Sequence, residues 1–211
     1  MECLKFELFS PCTTFKTPFS LKGIETYPLP TYSTIVGLLY TALGEKWKGE
    51  EFLISVQGTY ETVFRDYIRL RKYNRKDEEL EVLPLEVPRL YKMYCVIHTV
   101  GSSLEKFKKA LESPSLYLSF GGGEYPLLVK NPRLLGAEEK YWEGELRYNA
   151  YVPKSRKSSL YGEGIYFRIP SFYQVIDGER VWKWEEVYYF QKGTTFEGKL
   201  WVDEEGDVLW L

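Results

Sequence analysis

Along residues 3–9 the apolar Leu4, Phe6 and Leu8 alternate with Cys3, Lys5, Glu7 and Phe9. This period of two predicts a strand with one strongly buried face. The pattern then breaks: residues 10–23, SPCTTFKTPFSLKG, are rich in turn formers and carry Lys16 and Lys22, so they read as a long loop with exposed ammonium groups. A helical period takes over in residues 26–44, TYPLPTYSTIVGLLYTALG. Pro28 and Pro30 fix their own φ and hold Tyr27 and Leu29 extended, which bars a helix before Thr31. Thr31 or Ser33 can cap the first amides. Ile35, Val36, Leu38, Leu39, Ala42 and Leu43 then recur at helical spacing until Gly44 supplies a left-handed stop. Gly37, inside this helix, predicts that another group packs close to the backbone there.

The next run, ISVQGTYETVFRDYIRLRKYNRK, starts β-prone and becomes basic. Read as a strand, it puts Arg65, Tyr67, Arg69, Arg71, Tyr73 and Arg75 on one face and Ile68 and Leu70 on the other. An acidic turn from Asp77 and a strand over residues 85–100 complete an antiparallel pair. Ser102 and Glu105 predict a capping box for a second helix carrying Leu104, Phe107 and Leu111, closed by Ser113 and Pro114. A strand, SLYLSF, then runs into Gly121, Gly122 and Gly123, and EYPLLV continues it. The order strand, helix, strand, strand, helix, strand is the split βαβ arrangement of a ferredoxin-like domain, so the expected class is α+β. From Gly136 onward short β-prone runs alternate with turns, the last a hairpin at Asp203 to Gly206. The chain therefore divides into a domain over residues 1–135 and a C-terminal β-rich portion, 136–211, packed on it. Within the latter, Lys154, Arg156 and Lys157 sit among serines and glycines and read as a mobile basic loop.

Composition narrows the chemistry. The 211 residues carry a net charge of −2, which argues against a protein that coats nucleic acid over its whole surface, so any anion site is local. Eighteen tyrosines suit base stacking and strand packing alike. Cys3, Cys12 and Cys95 form no CxxC pair, so neither a disulfide framework nor zinc is indicated and a reducing cytoplasm is expected. The N-terminus lacks the basic-then-apolar order of a signal peptide, and no apolar run approaches membrane-spanning length; no membrane partner is expected. His98 is the only histidine, so no histidine metal cluster can form, and it reads either as a structural hydrogen-bonder or as a general base. Neither GxSxG, HExxH nor a P-loop occurs, and no metal or cofactor is expected.

The arginine and tyrosine face offers planar forks for phosphates and rings for bases, the combination a single-stranded nucleic-acid platform requires. A solvated hairpin face balanced by the acidic run explains the same residues. The three glycines read as a phosphate-cradling turn or as a plain turn between strands.

Residues 26–44 and their neighbours resemble the CRISPR-associated Cas-five family. Tyr27, Pro28, Pro30, Ser33, Ile35, Gly37, Leu38, Leu39, Leu43 and Gly44 match a family pattern YPxPxxSAIxGLLxAxLG, and the N-terminal strand, Phe15-Lys16 and YLSFGGGEYPLLV fit beside it. The resemblance covers the first two-thirds of the chain. It implies a modified ferredoxin-like domain, similar to an RNA-recognition motif, with a β-hairpin thumb and a variable C-terminal part. It also implies a subunit of a type I Cascade surveillance complex, nearest to the I-B or I-A kinds. Such subunits hold the 5′ handle of the crRNA, contact the backbone and large subunits, and meet target DNA only indirectly. On that reading the stretch 65–76 is the candidate thumb or its base and Gly121 to Gly123 lie near RNA. With Lys16, Lys22, Lys154, Arg156 and Lys157 they make up the expected RNA-binding set. Some type I-C members are metal-independent endoribonucleases using Tyr, Lys and His. Here His98 follows Ile97 and not a lysine, so the expected role is non-catalytic, with pre-crRNA cleavage through His98 and a purely protein-bridging role as the alternatives.

Overall fold

A computed structural model describes residues 1–18, 24–74, 78–177 and 179–211. In chain order they form β1 (Glu2–Thr13), β2 (Phe15–Lys16), β3 (Thr26–Tyr27), α1 (Tyr32–Leu43), β4 (Leu53–Thr59), β5 (Thr62–Asn74) and β6 (Glu79–Val100). There follow α2 (Leu104–Glu112), β7 (Ser119–Phe120), β8 (Tyr125–Pro126), β9 (Leu128–Glu145) and β10 (Asn149–Pro153). The chain closes with β11 (Ile165–Ile176), β12 (Glu179–Phe190), β13 (Thr195–Asp203) and β14 (Val208–Leu209). One antiparallel sheet runs in the order β11-β12-β10-β4-β6-β1-β9-β13-β14, and β5 joins it by pairing with β6. Among the described residues no helix is long and apolar enough to cross a membrane.

β1 is longer than its alternating core. Cys12 and Thr13 stay in register with Tyr91 and Leu90, so the expected loop begins only after them. α1 starts where the prolines require. Thr31 is extended (φ −72°, ψ 161°) and its hydroxyl accepts from the Thr34 amide, a cap whose loss costs about 1 kcal/mol. Gly44, at φ 69°, ends the helix, its amide donating to Thr41 O. The close approach expected at Gly37 is absent: the residue is exposed and a Cβ there would meet nothing within 4 Å. The expected capping box at α2 does not form either. Ser103 is the cap residue, at φ 68°, without a side-chain cap bond, and the Ser102 and Ser103 hydroxyls both donate to Glu50 Oε1, pinning the helix start to the segment before β4.

α1 and α2 cover one face of the sheet, burying Leu4, Phe6, Leu8, Val56 and Ile97 beneath Ile35, Leu39 and Phe107. Each such side chain contributes roughly 1.5–3 kcal/mol on leaving water. The opposite face carries Lys5, Ser55, Gln57 and His98, all buried, because the C-terminal hairpin folds over it. Gln57 donates to Val208 O and the Trp210 amide donates to Ser55 Oγ, so this second interface is held by matched polar groups around Trp210. The boundary expected between residues 135 and 136 falls inside β9. Tyr151, Ile169, Phe172, Val187 and Tyr189, from beyond it, share the main core with α1 and α2. Tyr151 is fully buried, and its hydroxyl donates to Leu29 O at 2.9 Å and accepts from Leu29 N at 3.3 Å, clamping the proline segment that sets the start of α1.

Candidate nucleic-acid interface

β6 has two halves with different jobs. Residues 93–100 lie between β4 and β1, whereas residues 79–91 pair with β5 over thirteen positions, from Thr62 opposite Tyr91 to Asn74 opposite Glu79. The halves meet at Lys92, whose φ is 50°; β1 keeps its register across this residue as far as Thr13 opposite Leu90, and beyond that point the β5–β6 hairpin continues alone as an arm. Alternation along β5 puts Arg65, Tyr67, Arg69, Arg71 and Tyr73 on one face of this arm. Tyr67 is 75% exposed and Tyr73 58%. Arg65 is tied to Glu86 at 3.1 Å, while Arg69 and Arg71 have no ion-pair partner among the described residues. Lys22 and Arg75 of the expected set lie outside the described residues.

The other face of the arm closes a groove of about 610 Å³. Ile68, Leu70, Leu85 and Val87 form its apolar wall, and Lys16, Gly121 and Tyr125 face it from across. The structure therefore brings Lys16 and the glycine turn together with the apolar side of the arm, and leaves the arginine and tyrosine side facing away on the same ribbon. Gly121 to Gly123 form a single 3-10 turn between β7 and β8. Gly121 needs to be glycine on two counts: its φ is 63°, and a Cβ would sit 2.8 Å from the Tyr125 ring.

Sequence reading missed the side chains that brace this groove. Arg89 donates to Asp66 at 2.7 Å and to the Tyr125 hydroxyl at 2.8 Å, and lies over that ring at 5.3 Å. Thr14 donates to Pro88 O and so ties the arm's root to the end of β1. Arg65, Arg69, Arg71 and Lys92 around it are exposed, and nothing in the sequence sets Arg89 apart from them.

Lys154, Arg156 and Lys157 do not form the expected mobile loop. They lie in a 3-10 turn, Lys154–Ser159, that packs on β10, β12 and β13. Lys154 pairs with Glu186 at 2.7 Å, Arg156 donates to the carbonyls of Leu211 and Lys199, and Lys157 lies 4.4 Å from the Tyr188 ring centroid. Their charges are already engaged.

Beneath the C-terminal hairpin lies a buried cluster of charged groups centred on Lys5. Lys5 Nζ donates to Asp203, Glu205 and Asp207 at 2.6–2.8 Å, and His98 Nε2 lies 3.1 Å from Asp203. Burial opposes ionisation of Asp203, but hydrogen bonds from His98 and Lys5 hold its carboxyl well below the usual range. Hydrogen bonds from Arg133 bring Glu205 to about 2. Burial lowers His98 from its ordinary value, and its Nδ1 has no hydrogen-bond partner among the described residues. The three carboxylates converge as a cation site does, and the cation they hold is the Lys5 ammonium.

A model of the family described as CRISPR-associated protein (Cas_Cas5) matches residues 3–192. No curated protein matches the sequence closely enough to count as a relative. Among solved structures, a chain of a "CRISPR RNA-guided surveillance complex" is similar with a TM-score of 0.57 and 12% identity, over 90% of this chain and 91% of that one. A chain of a "Type III-B Cmr-beta bound to cognate target RNA and AMPPnP" is similar with a TM-score of 0.53 and 11% identity, over 91% and 86% of the two chains. At such identities the likeness is one of fold.

Proposed function

The chain belongs to the Cas5 family of CRISPR-associated proteins, and from that premise we propose that it is a non-catalytic subunit of a type I surveillance complex that holds the 5′ handle of the crRNA. On this reading the run β4-β6-β1-β9, with α1 and α2 on one face, is the ferredoxin-like unit, and the β5–β6 arm is its thumb. The observation that carries the reading is the arm itself. A two-stranded ribbon exposing Tyr67 and Tyr73 beside Arg69 and Arg71, which have no ion-pair partner among the described residues, gains little stability alone, and it offers a single strand of RNA both rings and guanidinium forks. Lys16 and the Gly121 turn supply a second, narrower track for the backbone across the groove. The burial of His98 under Asp203 supports the non-catalytic role, since a general base must reach the 2′-hydroxyl it deprotonates.

The test is charge reversal of Arg69 and Arg71 to Glu in the purified assembly, with handle RNA binding measured across a salt series. The affinity is expected to fall, and the slope of log K against log salt to shrink by about 1.4, the share of two phosphate contacts on a single strand. Unchanged affinity and slope would leave the arm without a role in RNA capture. Specific cutting of repeat RNA in chelator, lost in His98→Ala, would overturn the non-catalytic part.

A further inference from the structure

The arm leaves the body at one place. β1 accompanies β6 as far as Thr13 opposite Leu90, and outward from there β5 and β6 pair with each other alone among the described residues. The outer part of the ribbon is not packed down. Leu70, on the groove side, is 43% exposed and its cross-strand neighbour Leu83 49%. The angle at which the arm stands is therefore set at its root. There four groups close a ring of hydrogen bonds. Arg89 Nη1 donates to the Tyr125 hydroxyl at 2.8 Å, that hydroxyl donates to Thr14 Oγ1 at 3.4 Å, and Thr14 Oγ1 donates to Pro88 O at 2.7 Å. The middle link is the weakest by length, but each hydroxyl accepts one bond and donates one, and the peptide bond from Pro88 to Arg89 completes the circuit. Two consecutive residues of the arm are thus tied to two residues of the body that are tied to each other. Asp66 accepts from Arg89 Nε at 2.7 Å and holds the guanidinium where it reaches Tyr125. The ring is shielded from water: Thr14 is 9% exposed, Tyr125 7%, and the Arg89 side chain 18%.

We propose that this ring is the lock that sets the arm's angle, with Arg89, Tyr125 and Thr14 as positioning residues for RNA held by the arm. The part in RNA capture rests on the function proposed for the arm; the mechanical part does not. Tyr125 makes the lock a coupling between the two banks of the groove. Its ring lies against Gly121, where a Cβ would sit 2.8 Å away, so the side chain that receives Arg89 from the arm also abuts the glycine turn. That bank is anchored in the core. Tyr125 is paired across β7 and β8 with Phe120, which is 2% exposed and meets the Phe15 ring edge-on at 5.0 Å, next to Lys16. The arm is thereby set against an anchored turn, and the width of the groove follows from the ring. Opening the lock frees an exposed ribbon, whose rings and guanidinium forks over residues 67–73 then point in many directions and meet a strand of RNA in the right orientation only part of the time.

Spin labels are placed at Leu80 of the arm, 56% exposed, and at exposed Lys109 of α2, each through a keto amino acid so that the native cysteines keep their thiols, and their separation is read by double electron-electron resonance in the full chain. One narrow distance is expected for the unaltered protein. Tyr125→Phe removes two links of the ring and keeps the contact with Gly121, and Thr14→Val removes two and keeps the shape; in both the single narrow maximum is expected to be lost. A control pair within the body, Lys109 and Tyr141 of β9, is expected to stay narrow, which verifies the fold. If it broadens, Arg89→Lys, which lacks the planar fork that serves Asp66 and Tyr125 together, is judged in the same way. Binding of handle RNA by the purified assembly is expected to fall about threefold to tenfold in these variants, the worth of one net hydrogen bond, with the slope of log K against log salt unchanged because no phosphate contact is lost. A smaller slope is the mark of Arg69 and Arg71, so the two roles separate. Unchanged arm distances would overturn the proposal. Lost distances with unchanged RNA affinity would overturn the positioning role if charge reversal of Arg69 and Arg71 weakens binding; if that reversal also has no effect, the RNA reading fails and the lock stands.

Discussion

Lys5 carries more of the fold's electrostatics than its place in an ordinary alternating strand implies. Its side chain is 2% exposed and is the shared partner of Asp203, Glu205 and Asp207, so Lys5→Met strands a fully buried Asp203 carboxylate. The expected loss is about 3–5 kcal/mol, read as a lower urea midpoint with the slope unchanged. The same cluster sets an acid dependence. Asp203 and Glu205 are depressed from 3.8 and 4.5, and His98 from 6.5, so the unfolded chain binds protons first as pH falls. Their stabilisation is fully present above about pH 6.5 and is lost on acidification, chiefly between pH 4.5 and 2. The Lys5 ammonium, held above its ordinary 10.5 by the carboxylates against the effect of burial, acts in the other direction and fails only as pH rises past that value. A urea midpoint that stays level from pH 7 to 3 would contradict this. At Tyr151, removing the hydroxyl leaves both polar groups of buried Leu29 unpaired, and Tyr151→Phe is expected to cost about 1–3 kcal/mol in the same assay. Neither role was legible from the sequence. Lys5 lies 198 positions from its nearest carboxylate partner and Tyr151 lies 122 from Leu29, and no local pattern encodes such pairings.

At the scale of elements, local rules sufficed wherever local chemistry decides. The prolines, Thr31 and Gly44 define α1 to within a residue because each restricts its own backbone. The alternation of β5 also held, and with it the shared face of Arg65 to Tyr73. What alternation cannot supply is the surroundings of each face: it marked the basic side, whereas the groove with Lys16 and Gly121 formed on the apolar side. Gly37 failed for a related reason, since a glycine in a helix is read as a close contact when the same residue can simply face solvent. Gly37→Ala is therefore expected to raise stability by about 0.5–1 kcal/mol, seen as a higher thermal midpoint, because helical φ and open space remove both objections to a side chain. A loss of stability would mean that something does pack against the exposed side of α1.

Across the whole molecule, the two portions that the change of pattern at Gly136 set apart are parts of one continuous sheet. β9 passes through the expected boundary, pairing with β1 on one side and β13 on the other, so the C-terminal strands cover the sheet face that α1 and α2 leave open. That coverage bears on function: the face holding Lys5, Gln57 and His98 is closed to ligands, and exposed arginines and tyrosines remain on the arm. The most direct test of the account is photo-crosslinking of crRNA carrying 4-thiouridine in its 5′ handle within the assembled complex, with the linked peptides mapped by mass spectrometry. The account predicts crosslinks in residues 65–73 of the arm and around Lys16 across the groove. Crosslinks confined to residues 154–157 and the C-terminal strands, with none in the arm, would contradict it.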